Sequence, residues 1–488
     1  MFLGLDLGTT NVKALLVEPD GQVAARASSP ASLLCASDHG VEQDIEELWS
    51  ATLSAISRLA ASNDLTGVQA IGVSSQGGAL QVLDPGGRPA SRVISWLDGR
   101  GRAFDDELTR ELGREWFLRH IGRGMSGVAI GQLLRLRRQR PELLERPNRI
   151  GFVGDVIVGR LCGRRAHDAT SLSIASLYNP SRRTADPDLL QVVGIAEDQL
   201  PEMVPVDRAA GGLLREVAEE ASLPVDIPVS PAIHDQYAAA LGVGAVHAGE
   251  TMFGAGTAWV LLAASNRLIA PAVDSAFVCT HVIDGLYGQI LSLINGGSSF
   301  SWTADLVGVD VTDQPNIDRM LEGVAPGSEG VRFWPFLANA GAGLPPEAAG
   351  RLTGLRLSHG ASHILRSVVE GLSFELRRHL GLLIGSGVEV EKFLMCGGAA
   401  AESATAQIVA DVIGLSVMSS CERDVSALGA AMVARRLVEP SKGLVALSDV
   451  MRPGGREFHP GADAPRYQRL FHEYVASLSE DRCEEAVP

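Results

Sequence analysis

Lysine is nearly absent from this chain. It stands at three positions, Lys13, Lys392 and Lys442, and the other 39 of the 42 basic residues are arginine. The bias reads first as one of coding, and it makes Lys13, close behind a turn, a residue to follow. Cysteine is sparse and scattered, at Cys35, Cys162, Cys279, Cys396, Cys421 and Cys483, with no C-x-x-C pair. That spacing suggests neither a zinc site nor a disulfide framework, and it predicts buried thiols in a reducing compartment. No apolar run approaches the roughly 18–20 residues of a membrane helix. The N-terminus lacks a basic stretch and meets Asp6 after five residues, unlike a signal peptide. Positive charge is in deficit: 58 acidic residues against 42 basic leave a net charge of −16. So acidic a surface argues against nucleic acid as a partner, although backbone N–H groups and a few arginines still build local anion sites. The expectation is a soluble, cytoplasmic protein with neither a membrane nor a nucleic-acid partner.

What is present points to a layered α/β fold. With 488 residues, 46% of them hydrophobic, the chain builds a sizeable core over two to four domains. Residues 2–7, 11–17 and 22–27 read as three strands joined by Gly8-Thr9-Thr10 and by Pro19-Asp20-Gly21. Helical spacing of Ile45, Leu48, Trp49, Leu53, Ile56 and Leu59, behind Asp44 as a cap, predicts a helix from about 44 to 61. "QAIGVSSQGG" (69–78) reads as a strand entering a glycine turn. The second half repeats this outline. "ETMFGAGTAWVLLAA" (250–264) again sets Gly-Thr between apolar runs, residues 362–384 form a long amphipathic helix, and 392–417 reads strand, Gly-Gly turn, helix, strand. Such a duplication predicts two related α/β domains, divided between residues 243 and 244 and facing each other across a cleft.

Several short stretches carry chemistry. A Gly-Thr-Thr turn aims N–H groups and two hydroxyls at one anion, and Asp6 beside it suits a hydrated Mg²⁺ between carboxylate and phosphate. The plain alternative is a hairpin with a turn-stabilising aspartate. No Walker-type loop and no G-x-G-x-x-G at a strand–helix junction is present, so a nucleotide is held by another device. A second turn at Gly256-Thr257 offers the same choice, and two such turns together hold both ends of a triphosphate. In "PAIHDQYAAALGVGA" (231–245) Asp235 sits where a strand ends and a helix starts, as a general base or as an N-cap. His234 reads as packing, or as a residue that supports the site from behind, rather than as a ligand. "SWLDGRG" (95–101) sets Trp96, Asp98 and Arg100 at alternate positions. If the segment is extended, they form one face of apolar plate, acceptor and donor fork, suited to a polyhydroxylated ligand; otherwise it is a solvated turn.

Taken in order, these stretches resemble the FGGY family of carbohydrate kinases, most nearly its xylulokinase branch. The resemblance runs from Phe2 to about Arg436 through "GLDLGTTNVKALL", "AIGVSSQGGALQVLD", "WLDGR", "HDATSLSIASLYN", "HDQYAAALGVGAV", "GAGTAWV", "NGGSSFSW", "GLRLSHGASHILRSVVEGLSFELR" and "CGGAAAESATAQIVADVIGLSV". It implies two actin-like (ribonuclease-H-like) domains, 1–243 and 244–488, with a catalytic cleft between them. It implies ATP and Mg²⁺ as cofactors, and a small ketose or polyol as the phosphoryl acceptor. Closure of the domains on the sugar would expel water and limit wasteful ATP hydrolysis. Dimers are common in the family.

By position, the resemblance implies Asp235 as the base that takes the sugar hydroxyl's proton. Asp6 orients Mg²⁺ through water, with Asp235 a second candidate for the metal. Thr9, Thr10 and Lys13 belong to the first phosphate turn and Gly256 and Thr257 to the second. Gly297, Ser301, Gly397, Gly398 and Glu402 fall with the nucleotide. Gln76, Gly77, Gly78, Trp96, Asp98, Arg100 and Gln236 fall on the sugar side. Departures bear on the substrate. Where xylulokinases read Gln-Met-His-Gly this chain has Gln76-Gly77-Gly78-Ala79, so a sugar-contacting histidine is replaced by Gly78, and His234 stands where a glycine is usual. Gln132 and Arg135 align with a lysine and a tryptophan of the family's first signature. The substrates in view are therefore xylulose, another pentulose, a tetritol or tetrulose, a hexulose, or glycerol. Asp6 and Asp235 argue against a binding-only pseudokinase, and the sugar-side set argues against a chaperone-type ATPase on the same superfold.

Overall fold

The computed structural model describes residues 1–35, 38, 40–293, 295–337, 342–344, 348–401 and 403–484. The chain divides into two compact units, each assembled from separated stretches. The first comprises Met1–Ala248, Ala264–Gln289 and Asp424–Pro453, the second Gly249–Ala263, Ile290–Arg423 and Gly454–Pro488.

In the first unit, strands Phe2–Leu7 and Asn11–Val17 form an antiparallel hairpin with Asp6 opposite Lys13. Val23–Pro30 extends it. On its other side Phe2–Leu7 pairs in parallel with Ile71–Ser75, which pairs in parallel with Pro228–His234. Leu3, Leu5 and Leu7 point to one face, where helix Ile45–Ala60 lays Ile45, Leu48, Ile56 and Leu59 on them. Each such leucine contributes about 1.5–3 kcal/mol by leaving water. Asp44 caps this helix through Glu46 N, as its sequence predicts. The opposite face meets helix Val425–Val438, a segment that arrives from far along the chain. A sheet covered on both faces needs near-continuous apolar strands, which is how residues 2–7 and 12–17 read.

A second core in the same unit, around Leu80, Val82, Ile94, Phe117, Leu133 and Ile150, packs a five-stranded sheet. Its strand order is Leu34–Cys35, Val41–Gln43, Val93–Ile94, Leu80–Leu83 and Arg149–Phe152. It carries Gln43 at one strand end and Trp96 just past another.

The second unit repeats the pairing scheme. Glu250–Ala255 is antiparallel to Trp259–Ser265 and parallel to Lys392–Cys396, which is parallel to Val417–Ser420. Helix Ala361–Gly385 runs through its core, where Leu365, Val369 and Phe374 pack with Tyr467 and Tyr474. Among the described residues no helix is long and apolar enough to cross a membrane.

Candidate active site

Strand register brings the acidic residues of the first unit together. Asp6 lies opposite Ser74 and Leu7 opposite Ser75, while Ile233 lies opposite Ser74 and His234 opposite Ser75. Three parallel strands therefore end level, and Asp6, Gln76 and Asp235 stand at their C-terminal ends. Open α/β sheets place ligands at this edge. Ser74 Oγ donates to Asp6 Oδ1 at 3.0 Å. Burial, and then the charge of Asp235, push the Asp6 carboxyl up to about 7, against the pull of Lys13. Burial pushes Asp235 up to about 6, and the Gln236 backbone and side chain moderate the rise. Lys13 Nζ is held by Asp424 Oδ1 at 2.9 Å, and Arg26 Nη1 reaches the other oxygen of Asp424 at 2.8 Å.

Asp235 does not cap its helix. Helix Asp235–Val243 has His234 at the N-cap position, with no side-chain cap bond. Asp235 is the first helical residue, so its carboxylate lies near the positive end of the helix. Asp235 is free of capping duty because the strand stays extended through His234.

The turn after Phe2–Leu7 is wired to Gln76 and Trp96. Thr9 Oγ1 donates to Gln76 Oε1 at 3.1 Å and accepts from Trp96 Nε1 at 3.0 Å. Gln76 Nε2 donates to Gln43 Oε1 at 2.9 Å, and Gln43 Nε2 returns to the Thr9 carbonyl at 2.8 Å. Gln43 went unnoticed in the sequence, where only its polarity in a short strand before a helix cap marked it. Thr10 is exposed at the tip. Trp96 presents its ring outward, 44% exposed.

Residues 95–101 are not extended. They form a turn followed by the 3₁₀ segment Gly99–Gly101, so Trp96, Asp98 and Arg100 do not share a face. Asp98 caps that segment and binds Arg100 through two guanidinium nitrogens, at 2.9 and 2.6 Å. Arg100 also reaches Glu42 at 2.6 Å. These contacts hold the Asp98 carboxyl below the usual range despite its burial. Gln132 and Arg135 belong to this cluster: Gln132 Nε2 donates to the Asp98 carbonyl at 3.0 Å, and Arg135 Nε donates to Gln132 Oε1 at 2.9 Å. Gly78 turns at φ +75°, and a Cβ there would lie 2.2 Å from Val128 Cγ1. Val128, a β-branched residue at φ +59°, is the other half of that close fit.

Glycines shape the second unit's candidate site. Gly297 N donates to the Gly256 carbonyl and Ser298 N to the Thr257 carbonyl, both at 3.0 Å. A Cβ on Gly297 would lie 2.6 Å from Gly256 O. Gly397, at φ +95°, brings the strand end of Lys392–Cys396 against Ala255 and Gly256. The Gly256-Thr257 turn, the start of helix Gly297–Leu306 and the Gly397-Gly398 turn thus converge as bare backbone, an arrangement suited to phosphate and sugar oxygens. Ser301 is exposed on that helix. Glu402 lies outside the described residues.

A divalent cation fits Asp6 and Asp235 chemically. Two neighbouring carboxyls that burial pushes up, Asp6 further by the charge of Asp235, are the hard oxygen donors Mg²⁺ takes, and its charge offsets the cost of ionising them. The ionised Asp6 meanwhile burdens the metal-free fold. Its folded pKa lies above the ordinary value, so stability falls as pH rises from about 4 through 7 and stays lower above. Asp6→Asn is accordingly expected to melt higher than wild type at pH 8 in chelator. The gain should shrink steadily between pH 7 and 5; thermal melts across that range check it.

The model of the FGGY family of carbohydrate kinases, N-terminal domain, matches residues 1–242, and that of the family's C-terminal domain matches residues 252–437. The xylulose kinase of Escherichia coli (strain K12) is 28% identical over 453 residues, 92% of each chain. The L-fuculokinase of the same strain is 28% identical over 445 residues, 88% of this chain and 91% of that one. The crystal structure of xylulose kinase from Rhodospirillum rubrum superposes with a TM-score of 0.86 at 25% identity, covering 98% of both chains.

Proposed function

The chain belongs to the FGGY family of carbohydrate kinases, and from that premise we propose that it phosphorylates a small ketose or polyol in the manner of a xylulokinase, with Asp235 as general base. A carbohydrate kinase of this family uses ATP as the phosphoryl donor and binds a sugar or polyol as acceptor. The observation that carries the finer reading is the level ending of three parallel strands, which sets Asp6, Gln76 and Asp235 side by side.

Asp235 accepts the proton of the sugar hydroxyl as that oxygen attacks the γ-phosphorus; the P–O bond to ADP breaks as the new one forms. Its raised pKa, about 6, leaves it ionised at neutral pH yet basic enough to take a proton. Asp6, with Asp235 beside it, would hold Mg²⁺. When bound, the ion supplies positive charge to the phosphate oxygens and to the two carboxylates. Thr9, Thr10 and Lys13 serve the phosphates from the first unit. Gly256, Thr257, Gly297, Ser301, Gly397 and Gly398 cradle the nucleotide in the second. Gln76, Gly77, Gly78, Trp96, Asp98, Arg100 and Gln236 serve the sugar. Of these, Trp96 and Gln76 meet it directly, and the Asp98–Arg100 pair shapes the wall behind them. Residues 1–243 thus serve mainly the sugar and 244–488 the nucleotide, in the cytoplasm.

At Gly78, where the xylulokinase resemblance implies a histidine, a Val128 methyl takes the space a side chain would need. The acceptor therefore needs testing over a range of sugars. The experiment is ADP release coupled to NADH oxidation, with Mg·ATP and a panel of pentuloses, tetruloses, tetritols, hexuloses and glycerol. One sugar raising turnover well above the sugar-free rate supports the reading and identifies the acceptor. No sugar doing so, with binding of the same sugars seen by calorimetry, sinks it in favour of a binding protein.

A further inference from the structure

His234 is buried directly beside the proposed base, and packing alone does not account for it. Its backbone N–H donates to Thr170 Oγ1 at 3.0 Å, and Thr170 donates in turn to Asp168 Oδ1 at 2.6 Å. Those bonds fix where the ring leaves the strand. The ring then enters space that exists because residue 77 is glycine. A Cβ on Gly77 would lie 2.4 Å from His234 Cδ2, 2.6 Å from its Nε2, and 2.1 Å from Ile174 Cγ2. From there Nε2 stands 3.2 Å from Asp235 Oδ1. Nδ1 is buried with no hydrogen-bond partner.

Of the two ring nitrogens, Nδ1 has no partner and Nε2 alone stands within reach of a carboxylate oxygen, so the ring N–H belongs on Nε2. We propose that His234 is a positioning residue for Asp235: its Nε2–H donates to Oδ1 and holds the carboxylate in the orientation that meets the sugar hydroxyl, and Gly77 is the glycine that admits the ring. The inference rests on Asp235 being the base. Without the imidazole, Asp235 keeps its bonds to Gln236 alone and turns about two torsions. Misplacement of a reacting group by about 1 Å costs on the order of 100-fold in rate.

The test separates the donor from the volume. His234→Leu fills the space and removes the N–H. His234→Gln offers an amide N–H at similar reach. Both are assayed with the best sugar of the panel beside wild type and Asp235→Asn, with kcat and both KM values measured and folding checked by thermal melting. His234→Leu is expected to lower kcat about 10- to 100-fold with KM for sugar and ATP within about 3-fold, and His234→Gln to recover to within about 3-fold of wild type. Gly77→Ala drives a methyl against Ile174 and into the ring, and because Gly77 also falls on the sugar side its effect is read as a split: kcat is expected to fall with KM for sugar within about 3-fold, whereas a rise in KM with kcat unchanged marks lost sugar binding instead. It decides the matter if neither His234 variant folds. Equal kcat for the Leu and Gln variants, or an unchanged kcat for Gly77→Ala when those two do not fold, overturns the proposal. If Asp235→Asn is dead while His234→Leu matches wild type, only this inference fails. If wild type itself shows no sugar-dependent turnover, the kinase reading fails first and takes this one with it.

Discussion

Asp235→Asn is expected to cut sugar-dependent kcat by about 10²- to 10⁴-fold, the share usually carried by a positioned general base. The substitution is nearly isosteric. Its amide oxygen still accepts from Gln236 and still faces His234 Nε2, so the local packing survives while the proton acceptor is lost. Affinity for metal-free ATP should hold if, as proposed, Gly256, Gly297 and Gly397 of the second unit cradle the nucleotide. Stability should rise in metal-free buffer at pH 8. The carboxyl's pKa stands above its ordinary value for want of water, so its ionised form opposes folding, and asparagine removes that charge. Steady-state kinetics, nucleotide binding by calorimetry and thermal melts measure the three effects. A variant that keeps more than about a tenth of wild-type kcat would place the base elsewhere.

The second large effect concerns folding. Helix Val425–Val438 meets the central sheet backbone to backbone. A Cβ on Gly72 would lie 1.7 Å from Ala430 O, and one on Gly4 would lie 1.9 Å from Ala427 O. The same helix meets Asp235–Val243 through Gly429 and Gly242, where added Cβ atoms would lie 1.9 Å from Ala238 O and 2.1 Å from Val425 O. Carbonyl oxygens in regular elements do not step aside, unlike the far end of a side chain. Gly72→Ala must therefore push the helix off the sheet. Overpacking costs typically 1–3 kcal/mol, and this rigid contact belongs at or beyond about 3 kcal/mol. For a unit of about 300 residues that lowers Tm by roughly 5 °C or more. Activity should suffer as well, since Asp424 at the start of this helix holds Lys13. Gly381→Ala is the control. It sits within helix Ala361–Gly385 with nothing near its added methyl, and it should leave Tm unchanged or raise it slightly. A Gly72→Ala protein melting with wild type would mean that the helix and sheet are farther apart than described.

Much was legible locally, and the reason differs from element to element. The two Gly-Thr hairpins announce themselves because a glycine turn between apolar runs leaves a chain few alternatives. Helix Ile45–Ala60 declares both its face and its cap. The aspartates were found because a carboxylate at the end of an apolar strand is conspicuous. Local reading failed where the partner lay elsewhere. Trp96, Asp98 and Arg100 alternate in sequence, but Glu42 and the Asp98–Arg100 pairing fold the segment into a turn instead of a flat face. Asp235 resembled a helix cap because strand-to-helix junctions commonly carry one, and only the extended path through His234 releases it.

By itself, then, the sequence determined most of the elements, the two Gly-Thr hairpin turns, the acidic residues at the strand ends and the family to which they belong. These follow from turn chemistry and from periods of two and 3.6 residues, which act over a handful of positions. The tertiary structure alone decided that residues 424–453 return to the first unit, that Asp424 holds Lys13 and Arg26, and that Thr9, Gln76 and Gln43 close one hydrogen-bonded circuit to which Trp96 donates. It also decided that the ring of His234 fills the space beside Gly77. Each joins residues tens to hundreds of positions apart. Their meeting depends on strand register and on how closely a helix docks, and neither quantity is encoded in any short stretch of the chain.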